Sequence, residues 1–143
     1  MTRNELQAVV ERHTETWNQR DPQALSNYHS PDGIVESPMY GTRVGRKAIE
    51  ESQRAFFTSF PDATLTVEAT LIDPPYVAVF STINATHVSD FFGLPGTNRH
   101  LEFRSSRLVR LDEQGLIAHE RRVYDFTGLL VQVGVLRAKP AKP

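Results

Sequence analysis

LEFRSSRLVRLDEQGLIAHERRVYDF, residues 101–126, is the stretch that decides how this chain folds. LEFRSSRLVRL (101–111) and LIAHERRVYDF (116–126) read as strands. The polar, glycine-ending run Asp112-Glu113-Gln114-Gly115 turns one into the other, which makes an antiparallel pair. The pattern extends upstream. YVAVFSTINATHV (76–88) is a long strand with apolar residues on both faces, and DFFGLPGTNRH (90–100) is the loop after it. In TLTVEATLI (64–72), Leu65, Val67, Ala69 and Leu71 alternate with polar neighbours, and Asp73-Pro74-Pro75 is the following turn. A four-stranded meander results.

The N-terminal part is helical. Thr2 followed by Glu5 is a capping box, and Leu6, Val9, Val10, His13 and Trp17 share one helical face. Asp21-Pro22 reads as the cap and first residue of a short second helix through Tyr28. The stretch SPDGIVESPMYGTRVG is rich in turn residues. A third helix follows from about Arg46 to Phe60, with Ile49, Phe56 and Phe60 on one side and Ser52 and Gln53 beside them. Helices followed by a meander predict an α+β domain, its helices packed on one face of a curved sheet whose concave side keeps a pocket where they do not fill it. The expected domain is residues 1–136, and RAKPAKP (137–143) is expected to be a disordered tail.

Composition narrows the function. With 143 residues and a net charge of −1, the chain has no basic excess to suit nucleic acid and no polybasic segment to suit a membrane. It has no cysteine, hence no disulfide, thiolate metal site or cysteine nucleophile. No apolar run approaches a membrane span, and MTRNELQAVVERHTE lacks a signal-peptide core, so a cytoplasmic location is expected. His13, His29, His87, His100 and His119 show no metal-ligand spacing, so no metal is expected.

Asp125 stands between Tyr124 and Phe126 in a mostly apolar stretch. If no bulge intervenes, strand alternation puts it on one face with Ile117, His119, Arg121 and Val123, and puts Ala118, Glu120, Arg122 and Tyr124 on the other. A carboxylate half-buried in an apolar wall would have a raised pKa and could serve as a base. Ahead of Phe126-Thr127-Gly128 it could equally cap a turn. The residues alone leave both readings open.

YDFTGLLVQVG (124–134) and THVSDFFGLPGTNRH (86–100) resemble the corresponding segments of the SnoaL-like polyketide cyclases, in the nuclear transport factor 2-like superfamily. WNQRDPQALSNYHSPDGIVES (17–37) and GRKAIEE (45–51) fit as well, so the resemblance spans about residues 5–136. It implies a cone: three N-terminal helices packed on a curved, mostly antiparallel sheet that encloses a ligand pocket. It also implies a cofactor-free intramolecular aldol cyclisation, or a related lyase or isomerase reaction, with Asp125 as acid/base. A homodimer or dimer-based oligomer is implied too; Phe80, Phe103 and Leu108 are candidates for core or interface. On this reading His87 assists as a hydrogen-bond donor. Trp17, Tyr28, Ser37, Phe56 and Arg107 contact an apolar carbonyl compound.

The chain departs from the family pattern. Arg107 stands where the cyclases carry a histidine on the penultimate strand, Ser37 replaces an asparagine, and the loop carries Ser89-Asp90 and Gly96. His13, Ser37 and Arg107 are the wrong residues for ketosteroid isomerase chemistry, and the second carboxylate of the limonene epoxide hydrolases is missing. The alternative is a non-catalytic ligand-binding or interaction domain in which Asp125 orients a turn and His87 ties down a loop. The environment of Asp125 separates the two: pocket-facing without a cation for the enzyme, outward or arginine-paired for the binder.

Overall fold

A computed structural model describes residues 1–137; the rest of the expected tail lies outside the described residues. The elements run α1 (Arg3–Asn18), α2 (Pro22–Ser26), β1 (His29–Ser37), β2 (Gly41–Val44), α3 (Arg46–Ser59), β3 (Thr64–Asp73), β4 (Tyr76–Thr86), β5 (His100–Leu111), β6 (Ile117–Tyr124) and α4 (Phe126–Val133). The six strands form one sheet in the order β2-β1-β6-β5-β4-β3, antiparallel except where β1 runs parallel to β6. The helices cover its concave face, as the α+β cone requires. No helix among the described residues is long and apolar enough to cross a membrane.

Local sequence explains most boundaries. Thr2 accepts from the Glu5 amide at 3.2 Å and Glu5 reaches back to the Thr2 amide at 2.7 Å, so the capping box forms. Asp21 caps α2, with Pro22 at its first position. Two expectations are corrected. The turn-rich stretch after residue 29 holds strands β1 and β2. The chain after Tyr124 is not the end of a strand but helix α4, closed by Gly134 at φ 89°.

The interior is divided. Leu6, Val9 and Val10 of α1 pack with Val77, Val79, Val109 and Ile117 at one end of the cone. Trp17, Phe57, Phe60, Ile83, Phe103 and Leu129 pack at the other. Between them a polar belt crosses every layer. Along α1 the order is Val10, His13, Trp17; along β5 it is Val109, Arg107, Phe103; along β6 it is Ile117, Glu120, Tyr124. Buried polar groups of this kind cost stability unless they are paired, so the belt marks the place to look for function.

Candidate functional site

A cavity of about 60 Å³ opens on the aromatic side of the belt. Trp17 of α1 and Phe56 and Phe57 of α3 form one wall. Trp17 meets Phe57 edge-on at 5.0 Å. Leu65, Ile83 and Phe103 of the sheet form the other, with Tyr40 and Tyr124 beside them. Arg107 and Arg122 line the cavity from the belt, and among the described residues no carboxylate lines it.

The two guanidiniums are held by Glu120, which is fully buried. Arg122 Nε donates to Glu120 Oε2, and Arg107 Nη1 lies 3.6 Å from Oε1. Burial alone would raise the Glu120 pKa. The positive charges of Arg122 and then Arg107 outweigh it, and the carboxyl sits well below the usual range. Arg107 also approaches both ring nitrogens of His13, at 3.3 and 3.1 Å. A neutral imidazole has one acceptor nitrogen, so one approach is the hydrogen bond. Burial, reinforced by Arg107, pushes His13 well below its ordinary pKa and keeps it neutral. Burial likewise takes His29 down to about 4, against the pull of Glu120. Two arginines against one carboxylate leave a positive charge uncompensated at the cavity floor.

Several polar atoms there lack a partner. Among the described residues, both side-chain polar atoms of buried Gln53, Arg107 Nε and Glu120 Oε1 find no hydrogen-bond partner. Gln53 lines the cavity and so offers a free donor and a free acceptor to a ligand. Burial raises the pKa of Tyr40 and of Tyr124, so both keep their phenolic protons. Tyr124 accepts from the Met39 amide at 3.2 Å.

Of the residues expected in the site, Trp17, Phe56 and Arg107 line the cavity. Four do not. Asp125 is exposed at the N-cap of α4, where its carboxylate accepts from the Gly128 amide at 2.8 Å; the expectation that it projects into the pocket is corrected. His87 is fully buried, bonded through Nδ1 to Thr97 Oγ1 at 2.9 Å and packed on Phe60 and Phe91, away from the cavity. It secures the loop, as its backbone bonds to Asn98 and Arg99 also do. Tyr28 bonds Thr16 at 2.9 Å and meets the His13 ring edge-on. Ser37 accepts from the Tyr40 amide at 3.1 Å and so supports the wall from behind.

Gln53, Tyr40, Glu120, Arg122 and Tyr124 escaped assignment to the site. The register explains the last three. Leu111 pairs with Ile117 but Arg110 pairs with His119, so β6 carries an extra residue at Ala118. The bulge lets Ile117 point inward and then brings Glu120, Arg122 and Tyr124 inward as well. Arg107 therefore faces Glu120, not Asp125. The signal in the sequence was two charges inside a β-prone run.

The comparisons agree with this architecture. A family model described as SnoaL-like polyketide cyclase matches residues 7–133. Among solved structures, the candidate hydroxylase AclR from Streptomyces galilaeus is 24% identical, with a TM-score of 0.83 over 95% of this chain and 100% of that one. A candidate SnoaL-like polyketide cyclase from Jannaschia Sp. CCS1 is 16% identical, with a TM-score of 0.84 over 94% of each chain. The candidate polyketide cyclase IdmH from Streptomyces antibioticus is 23% identical, with a TM-score of 0.76 over 90% and 98%. At such identities the structural likeness speaks for the fold alone. None of the curated proteins matches the chain significantly. The family match spans nearly the whole sequence, and the chain belongs to the SnoaL-like polyketide cyclase family.

Proposed function

We propose that the cavity binds an apolar carbonyl compound by its oxygen and stabilises negative charge there, as an enolate or a carboxylate would carry it. The observation that carries this reading is the pair Arg107 and Arg122, sharing one carboxylate at the floor of an aromatic-walled cavity. Donors fixed in a dry site favour a developing oxyanion far more than water does. Gln53 and the Tyr40 hydroxyl add neutral hydrogen bonds. Among the described residues the lining has no carboxylate base, Glu120 is ionised between cations, and Asp125 faces solvent. The proposal is therefore binding and polarisation, not aldol closure driven by Asp125. A homodimer is proposed with it, on the outer sheet face, where Leu71, Phe80, Leu108 and Val123 are all more than 40% exposed.

Acetylacetone, a small enolisable diketone, tests the reading. Trp17, the sole tryptophan, lines the cavity, so its indole N–H resonance reports occupancy. Titration should shift that resonance saturably and raise the near-ultraviolet enolate absorbance. Arg122→Gln removes one charge-assisted contact and should weaken binding about tenfold or more. Binding that ignores Arg122, or no shift at Trp17, contradicts the proposal.

A further inference from the structure

The cavity is small for the ligands its walls invite. About 60 Å³ takes a diketone or carboxylate head, not a ring system. A second hollow of about 780 Å³ lies next to it, between the outer side of α3 and the loop after β4. Tyr40 lines both, so the two spaces share one wall residue. The outer hollow is lined by Ala55, Phe91 and Phe92 together with the charged Glu51, Arg54 and Asp90.

Phe92 is the unusual residue here. Phe91 and Leu94 exchange both backbone hydrogen bonds, at 2.9 and 3.0 Å, around a two-residue turn. Phe92 has φ 49° and Gly93 φ 84°, the pattern of a turn that favours Asn-Gly. A bulky side chain at positive φ is strained and needs a compensating contact. Phe92 is not buried in exchange: it is 60% exposed. Its ring centroid lies 5.7 Å from Tyr40, 4.8 Å from Phe91 and 6.1 Å from Phe126, leaving much of the ring bare. The loop that carries it is pinned to the end of α3. The Ser59 hydroxyl donates to the Asp90 carbonyl, the Ser89 hydroxyl donates to the Thr58 carbonyl at 2.7 Å, and the Val88 amide donates to the Ser59 carbonyl at 2.9 Å. The ring is thus held in position beside the hollow, with one part packed on its neighbours and the rest open.

We propose that this hollow is a second subsite, and that it holds the flat apolar part of the same ligand whose carbonyl head enters the cavity, with Phe92 as its stacking platform. The proposal rests on the carbonyl-binding reading above. It extends that reading to a ligand class: an aryl group joined to a small diketone or carboxylate head, lying across Tyr40.

Calorimetric titration of the full chain with two probes tests it. Acetylacetone carries the head alone; benzoylacetone carries the same head and a phenyl ring. Benzoylacetone should bind at least tenfold tighter. Phe92→Asn removes the ring while suiting positive φ, so the variant should melt no lower than wild type. It should weaken benzoylacetone about fivefold and leave acetylacetone within twofold. Phe92→Tyr should keep the wild-type preference. If Phe92→Asn leaves benzoylacetone unchanged, or weakens both probes alike, the subsite is overturned while the cavity reading stands. If neither probe binds the wild type, the cavity reading falls and takes the subsite with it.

Discussion

His29 shows how far the belt is from an ordinary core. It is fully buried, neither ring nitrogen finds a partner among the described residues, and burial holds its pKa down to about 4. Above its unfolded value of about 6.5 this costs nothing, because both states are neutral. Between about 6.5 and 4 the unfolded chain takes up a proton that the native chain refuses, so stability falls as pH falls. At pH 5 the loss from His29 alone is about 2 kcal/mol. His13 is shifted in the same direction and adds to it. Thermal melts should therefore drop steadily from pH 7 to pH 5, and His29→Leu should flatten the profile. An unchanged slope in that variant would show that His29 is not the group responsible. At this scale the sequence was partly legible. Arg107 stood out as a charge on a core strand. Glu120 and Arg122 did not, because one extra residue in β6 reversed the face they occupy.

Elements with local signals were readable and those without were not. α1 and α2 carry their caps in their first residues, so their starts could be placed. β1 contains Pro31, Asp32 and Gly33, its near partner β2 is only four residues long, and its other partner β6 lies far away in sequence, so its strand character is masked by turn residues. α4 is eight apolar-rich residues, too short for helical periodicity to show against β-prone composition. Its one clear marker is Asp125, the residue whose role was most in question. As a cap, Asp125→Ala should cost about 1 kcal/mol, while Asp125→Asn should be nearly neutral, since asparagine caps equally well. Chemical denaturation of the two variants checks this; equal losses in both would argue against the capping role.

For the whole molecule, the outer sheet face and the inner cavity pull in different directions. The cone encloses its aromatic half and leaves Leu71, Phe80, Leu108 and Val123 in water. Strand pairing makes them neighbours: Ala78 stands opposite both Leu71 and Leu108, and Ser106 opposite both Phe80 and Val123. Leu108→Glu should shift the chain from dimer to monomer in sedimentation without changing its fold, because the side chain already faces solvent. A wild type that sediments as a monomer would contradict the proposed dimer. The sequence left Phe80, Phe103 and Leu108 open between core and interface; in the structure Phe80 and Leu108 lie outside, whereas Phe103 lies in the core. The cavity was not legible, because its size depends on how Trp17, Phe56 and Tyr40 meet across three elements.

The central claim is that Arg107 and Arg122 around Glu120, and not Asp125, form the working end of the cavity. The most direct measurement is acetylacetone titration of Arg122→Gln and Asp125→Asn side by side, read by enolate absorbance and the Trp17 indole resonance. The account predicts that Asp125→Asn matches wild type within twofold while Arg122→Gln loses about tenfold or more. Loss of the enolate signal in Asp125→Asn with Arg122→Gln intact would contradict it and return the chemistry to the aspartate.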